Sequence, residues 1–214
     1  MAMEGTHVRF ARDLAPYLKI VDFDAYYSGA VYPDSRYLTG IPRDATHGTD
    51  CPHDPFAVGL TDFEKGWGTH LVYDAMASLE KETALAMIGD DVREDGWAFH
   101  SAIKLVEDRQ SLELFRGDMS ILLGLRAVKR PFDEDEATMK RYYDDLNDAY
   151  AGTWSFEEYH ATSMKWGMPL SRVDRMIELA RRFDADPGIF SAVQKIYPTV
   201  LNRYVLRSVH DARR

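Results

Sequence analysis

The spacing of the apolar residues is what most constrains this chain. They recur at three- and four-residue intervals along most of its 214 positions, and alternating β-branched runs are nearly absent. That pattern gathers apolar groups on one face of a helix and cannot keep one face of a strand dry. An all-α fold of about seven or eight helices is therefore expected. A chain of this length can bury one sizeable core, so residues 1–214 are read as a single helical domain.

Local punctuation places the helices. The first is expected to start near Thr6 and to carry Val8, Leu14 and Leu18. The second follows Asp22 and should end at Pro33, because an interior proline removes a helix hydrogen bond. Residues 35 to 60 contain Gly40, Pro42, Gly48, Pro52, Pro55 and Gly59, and read as a long irregular connection. Loops of that length are usually functional or disordered, and the two histidines and one cysteine here favour function. Thr61 to Glu64 forms a capping box that opens a helix through Trp67, Leu71 and Ala75 towards Met87. Further helices are expected over about Asp95 to Phe115 and Met119 to Lys129. Another follows the acidic run Asp133-Glu134-Asp135-Glu136 and ends near Gly152. Ser155 to Glu158 is a second capping box. Ser171 opens a helix to about Phe183, and a last helix runs from Pro187 towards His210.

Charge and cysteine usage narrow the function. The formal net charge of −9 gives no global positive field, so non-specific nucleic-acid binding is not expected. A small phosphorylated substrate remains compatible, since a bound divalent cation reverses the local sign. Cys51 is the only cysteine, so any metal site must be built from His, Asp and Glu. No segment reads as a signal peptide or offers the roughly 18 apolar residues of a membrane span, and the expected location is the cytoplasm.

Four residues stand out by type and spacing. His70 and Asp74 lie four apart within an expected helix and leave the same face one turn apart. Asp34 follows Pro33 at the end of the second helix, and His47 lies in the Gly/Pro-rich connection. Two nitrogens and two oxygens suit Zn²⁺, Fe²⁺, Ni²⁺ or Mn²⁺ better than Ca²⁺ or Mg²⁺. Taken singly, an H-x-x-x-D pair is more often a surface ion pair, and an aspartate after proline is as often a turn residue.

The stretches Ser28-Gly29-Ala30-Val31-Tyr32-Pro33-Asp34, then Ala45-Thr46-His47, then Phe63-Glu64-Lys65-Gly66-Trp67-Gly68-Thr69-His70-Leu71-Val72-Tyr73-Asp74 resemble the zinc-dependent phospholipase C family. The resemblance covers about residues 25 to 80. It implies an all-helical fold, shared by the related single-strand-specific zinc nucleases, with Asp34, His47, His70 and Asp74 as ligands of one metal ion. Metal-dependent hydrolysis of a phosphoester is the activity it implies, with the metal-site half over about 1–115 and a helical remainder over about 116–214. Gly66, one turn before His70, is expected to let the His47 loop come close. Trp67 is expected either to shield the site or to be ordinary core.

Full members of that family assemble three zinc ions, using a processed N-terminus, an early His and a downstream His/Glu group. His7 matches the early His, against the alternative of a partly exposed residue on an amphipathic first helix. The downstream group does not match: His100 is followed four residues later by Lys104, and His160 by Met164. One ion, most simply Zn²⁺, is therefore expected. A single ion needs help from the protein. Arg36 and Arg43 are candidates for gripping substrate phosphate. His100, within Trp97-Ala98-Phe99-His100, is a candidate ligand or acid/base, with a hydrogen-bonded core histidine as the alternative.

Two other readings stay open. His53-Asp54 invites comparison with the all-helical HD-type phosphohydrolases, although the flanking Pro52 and Pro55 disfavour a helix there. A non-catalytic metal-binding or structural helical protein is the other. In that case the acidic-aromatic run from Tyr142 to Tyr150 either forms a partner surface or packs its tyrosines inward.

Overall fold

Among the described residues, the backbone hydrogen bonds of regular structure close within single helices, and the remainder close turns and caps. The computed structural model describes residues 4–85, 96–115 and 118–211, and all the regular structure among them is helical. The order is α1 (Glu4–Leu14), a 3₁₀ turn (Ala15–Tyr17), α2 (Phe23–Val31), a second 3₁₀ turn (Tyr32–Ser35), α3 (Arg36–Thr39), α4 (Arg43–His47), α5 (Asp62–Leu85) and α6 (Gly96–Phe115). It continues with α7 (Met119–Leu123), α8 (Glu136–Ala151), α9 (Phe156–Lys165), α10 (Leu170–Ala185), α11 (Pro187–Gln194) and α12 (Ile196–Asp211). No described helix is long and apolar enough to cross a membrane.

Caps mark the helix starts. Asp22 accepts a hydrogen bond from Ala25 N at 3.0 Å, and Asp135 accepts from Thr138 N at 2.8 Å. Both capping boxes form. Thr61 N donates to Glu64 Oε2 at 2.7 Å while Glu64 N donates to Thr61 Oγ1 at 3.3 Å, and Ser155 and Glu158 do the same. Each cap is worth about 1 kcal/mol.

Several expected boundaries move. Pro33 does not stop the chain: it sits in the first turn of a 3₁₀ segment, where its missing N–H is not needed. Leu18 lies beyond α1, after its own 3₁₀ turn. Residues 35 to 60 are less irregular than expected, because α3 and α4 form there and His47 closes α4. The helix expected to reach Lys129 ends at Leu123, before Gly124. The final helix is divided at Lys195 into α11 and α12. The expected end near Met87 lies outside the described residues.

The crossing of α2 and α5 positions the site. A Cβ on Gly29 would lie 2.1 Å from Phe63 O, and one on Gly66 1.9 Å from Tyr26 O, so both glycines are needed for backbone to meet backbone. Gly66 therefore serves α2 rather than the His47 loop. The connection meets α5 at Gly68 instead, where a Cβ would lie 2.6 Å from Pro52 O.

α1 is anchored at its first turn, where backbone N–H groups lack helical partners. Thr6 N donates to Asp108 Oδ1 at 2.6 Å, and Gly5 N donates to Tyr150 Oη at 2.8 Å. Asp108, on α6, also accepts from Tyr150 at 3.1 Å and Tyr159 at 2.7 Å. A buried carboxylate at a helix N-terminus suits the helix dipole. Around these anchors one apolar cluster gathers Phe10, Tyr73, Phe99, Ile103 and Phe183, and a second gathers Tyr32, Phe63, Trp67, Tyr142 and Tyr143. The tyrosines of the acidic-aromatic run point inward: Tyr142 donates to Val31 O at 2.7 Å and Tyr143 to Ser28 O at 3.0 Å.

Candidate metal centre

His70 is fixed by the helix crossing. Its Nδ1 lies 2.9 Å from Ala30 O, on α2. A carbonyl only accepts, so Nδ1 carries the proton and Nε2 offers a lone pair. Nε2 is buried and has no hydrogen-bond partner. A buried nitrogen left in that state is rare unless something else is meant to bind it.

His47 is held in a related way. Its Nδ1 lies 2.8 Å from Thr46 Oγ1, and Trp67 Nε1 donates to Thr46 O at 2.8 Å. Trp67 is core, and it braces α4. Asp34 is buried in the 3₁₀ turn after α2, with Arg36 Nε 4.0 Å from its Oδ1. One turn after His70, Asp74 places Oδ2 3.9 Å from Nε2 of both His47 and His70. The ligand atoms of Asp34, His47 and His70 all lie within 4.8 Å of one another. Asp74 is not in that group: it comes within ligand spacing together with His7 and His70. Bonds of 2.0–2.1 Å in a tetrahedron separate ligand atoms by about 3.4 Å, so the side chains must close in on an ion to bind it.

His7 joins this cluster. It is buried, not partly exposed, and its ring stacks on that of His70 with centroids 3.7 Å apart and planes 17° apart. Its Nε2 lies 3.6 Å from Asp74 Oδ1, and His7, His70 and Asp74 make a second group within ligand spacing. Nothing in the spacing of the sequence marks His7 as buried. The burial follows from the long-range anchoring of α1 by Asp108 and Tyr150.

The electrostatics favour the ligand forms. Burial, then the neighbouring His70, pushes His7 well below the ordinary histidine value and His47 down to about 4. Both imidazoles are therefore neutral near pH 7, as a metal ligand must be. Burial raises Asp34, but the surrounding positive charge, His70 first, outweighs it and holds the carboxyl down at about 2. Burial also works against the Lys104 ammonium, yet Asp74 and Asp34 more than offset it and keep it charged.

A cavity of about 380 Å³ opens onto Asp34, His47 and Asp74. Arg36, Arg43 and His100 line it, together with Trp97 and Lys104. Lys104 is the residue that motif reasoning passed over. Its Nζ lies 3.2 Å from Asp74 Oδ1, and its only signal in the sequence is a position one helical turn after His100. His53 and Asp54 are exposed and lie outside this lining: His53 Nε2 pairs with Gly48 O at 2.7 Å, and Asp54 Oδ1 accepts from Phe56 N. His160 pairs with Asp174 at 3.0 Å on the surface.

An all-α fold with a buried His/Asp cluster able to hold a metal, at the base of a cavity with basic walls, is the class these observations define. Comparison with protein-family models, with curated proteins and with solved structures found no match.

Proposed function

We propose that Asp34, His47, His70 and Asp74 hold one divalent transition-metal ion, most simply Zn²⁺, and that the protein is a metal-dependent hydrolase acting on a phosphoester. The observation that carries this reading is the buried, unpartnered Nε2 of His70, aligned by the Ala30 carbonyl within 3.9 Å of Asp74 Oδ2. A metal-ligating histidine usually donates its other ring N–H to an oxygen acceptor; His70 Nδ1 has the Ala30 carbonyl for this, and His47 Nδ1 lies against the Thr46 hydroxyl. The resemblance to the zinc-dependent phospholipase C family, over residues 25 to 80, supports the same four ligands.

A divalent ion so held supplies a Lewis acid and an acidified water. The chain supplies the rest. Arg36 and Arg43 stand on the cavity wall, where planar guanidinium groups match phosphate oxygens. Trp97 and Tyr37 narrow the cavity. His100 lines the same cavity, and in this reading it passes a proton to the leaving oxygen.

The test is hydrolysis of generic phosphodiester and phosphomonoester probes by metal-loaded protein, with Asp74→Asn alongside. The reading requires turnover by the wild type that falls at least about a hundredfold in the variant. Equal rates, or no turnover of either probe class by protein with a full metal complement, refute it.

A further inference from the structure

The two oxygens of Asp74 are used differently. Oδ2 faces Nε2 of His47 and of His70, each at 3.9 Å. Oδ1 faces His7 Nε2 at 3.6 Å and the Lys104 ammonium at 3.2 Å. The two groups with ligand spacing overlap, and both draw on His70. That histidine has a single nitrogen to give, because Nδ1 is engaged with Ala30 O. One lone pair serves one ion. Without His70, the His7 side is left with two ligand atoms, and an ammonium already stands against one of them.

We propose that Lys104 is a tethered monovalent cation in the place a second metal ion would take: it neutralises Asp74 Oδ1, confines the centre to a single ion, and turns its remaining N–H donors to substrate phosphate. This rests on the hydrolase reading above and deepens it. The lysine reaches the centre from α6, whereas the four ligands come from the chain between α2 and α5. An ammonium has three donors, and Lys104 lines the same cavity as Arg36 and Arg43. Those three fixed positive charges stand against the two carboxylates Asp34 and Asp74. An anionic phosphate ester matches that balance, and an uncharged carboxylic ester does not.

The experiment counts metal equivalents after dialysis against excess Zn²⁺, and measures inorganic phosphate binding to the zinc-loaded protein by calorimetry. Wild type, Lys104→Glu and Lys104→Met are compared, the last being an uncharged side chain of similar length. Wild type should hold one equivalent and Lys104→Glu two, the new carboxylate completing a site with His7 and Asp74 Oδ1. Lys104→Met should bind phosphate about 10- to 100-fold more weakly, the worth of one charge-assisted hydrogen bond. Two or more equivalents in the wild type, a single equivalent in a folded Lys104→Glu, or unchanged phosphate affinity in Lys104→Met would each overturn the assignment. A wild type that takes up no ion overturns the hydrolase reading along with it, so the two failures are told apart.

Discussion

Thr46 carries no metal-binding atom, yet its hydroxyl lies 2.8 Å from His47 Nδ1 and its carbonyl accepts from Trp67. Thr46→Val keeps the shape of the side chain and removes the hydroxyl's two contacts, with His47 Nδ1 and with Arg43 O at 3.3 Å. Metal affinity is expected to fall about 10- to 100-fold while the circular dichroism spectrum stays the same; unchanged affinity would show that the hydroxyl does not orient the ligand. Protons compete for the same histidines. His7 and His47 have folded values below those of the unfolded chain, so the metal-free native state binds fewer protons than the unfolded state between about pH 6.5 and pH 4. The stability that these two histidines contribute to the metal-free protein is therefore fully present above about pH 6.5 and is lost as the pH falls through that window. After a discount for partial solvent screening at His47, the loss from that residue is on the order of 2 kcal/mol. Urea titrations of metal-free wild type and a folded His47→Gln variant at pH 7.5 and pH 4.5 measure it, and the same pH dependence in both proteins would contradict it.

At the level of elements, the α2–α5 crossing sets the position of His70. Gly66→Ala forces a methyl group against the Tyr26 carbonyl, and because the atoms it meets, Tyr26 O and Ala30 N, are backbone, one helix must move. Overpacking of this kind costs about 1–3 kcal/mol. The same displacement carries Ala30 O away from His70 Nδ1, so a weaker metal affinity should accompany the lower stability; a variant with wild-type values of both would show that the close approach is not needed. The helices themselves were legible in the sequence, because caps such as Asp22, Thr61 and Ser155 act over three or four residues. The end of α7 at Gly124 and the division at Lys195 were missed although each has a local breaker, Gly124 itself and Pro198, which cannot donate to the carbonyl of Gln194. Gly66 was recognisable as a point of close approach, but its partner was not, because a glycine records that something comes near without recording what.

Over the whole molecule, the site depends on one long-range polar junction. Asp108 ties α6 to the first turn of α1 and to Tyr150 and Tyr159, and so carries His7 into the cluster. Asp108→Ala leaves the Thr6 N–H and two tyrosine hydroxyls without this acceptor, and should cost about 3 kcal/mol by denaturant titration; a loss below about 0.5 kcal/mol would mean that α1 is held by its other contacts and not by Asp108. This junction spans about a hundred residues, which is why His7 could be matched to a motif but its burial could not be read. That Asp34, His47, His70 and Asp74 come near one another was legible, because their neighbours Gly29, Pro33, Gly66 and Trp67 form an ordered local setting. Lys104 was not, because a lysine acquires meaning only from the carboxylate oxygen it faces. The most direct measurement is the metal content of purified wild-type protein beside His70→Gln. One equivalent of a divalent transition metal in the wild type, lost in a folded His70→Gln variant, is the expected result. A wild type that carries no ion and cannot be reloaded, or a His70→Gln variant that keeps its ion, would contradict a metal centre built on His70.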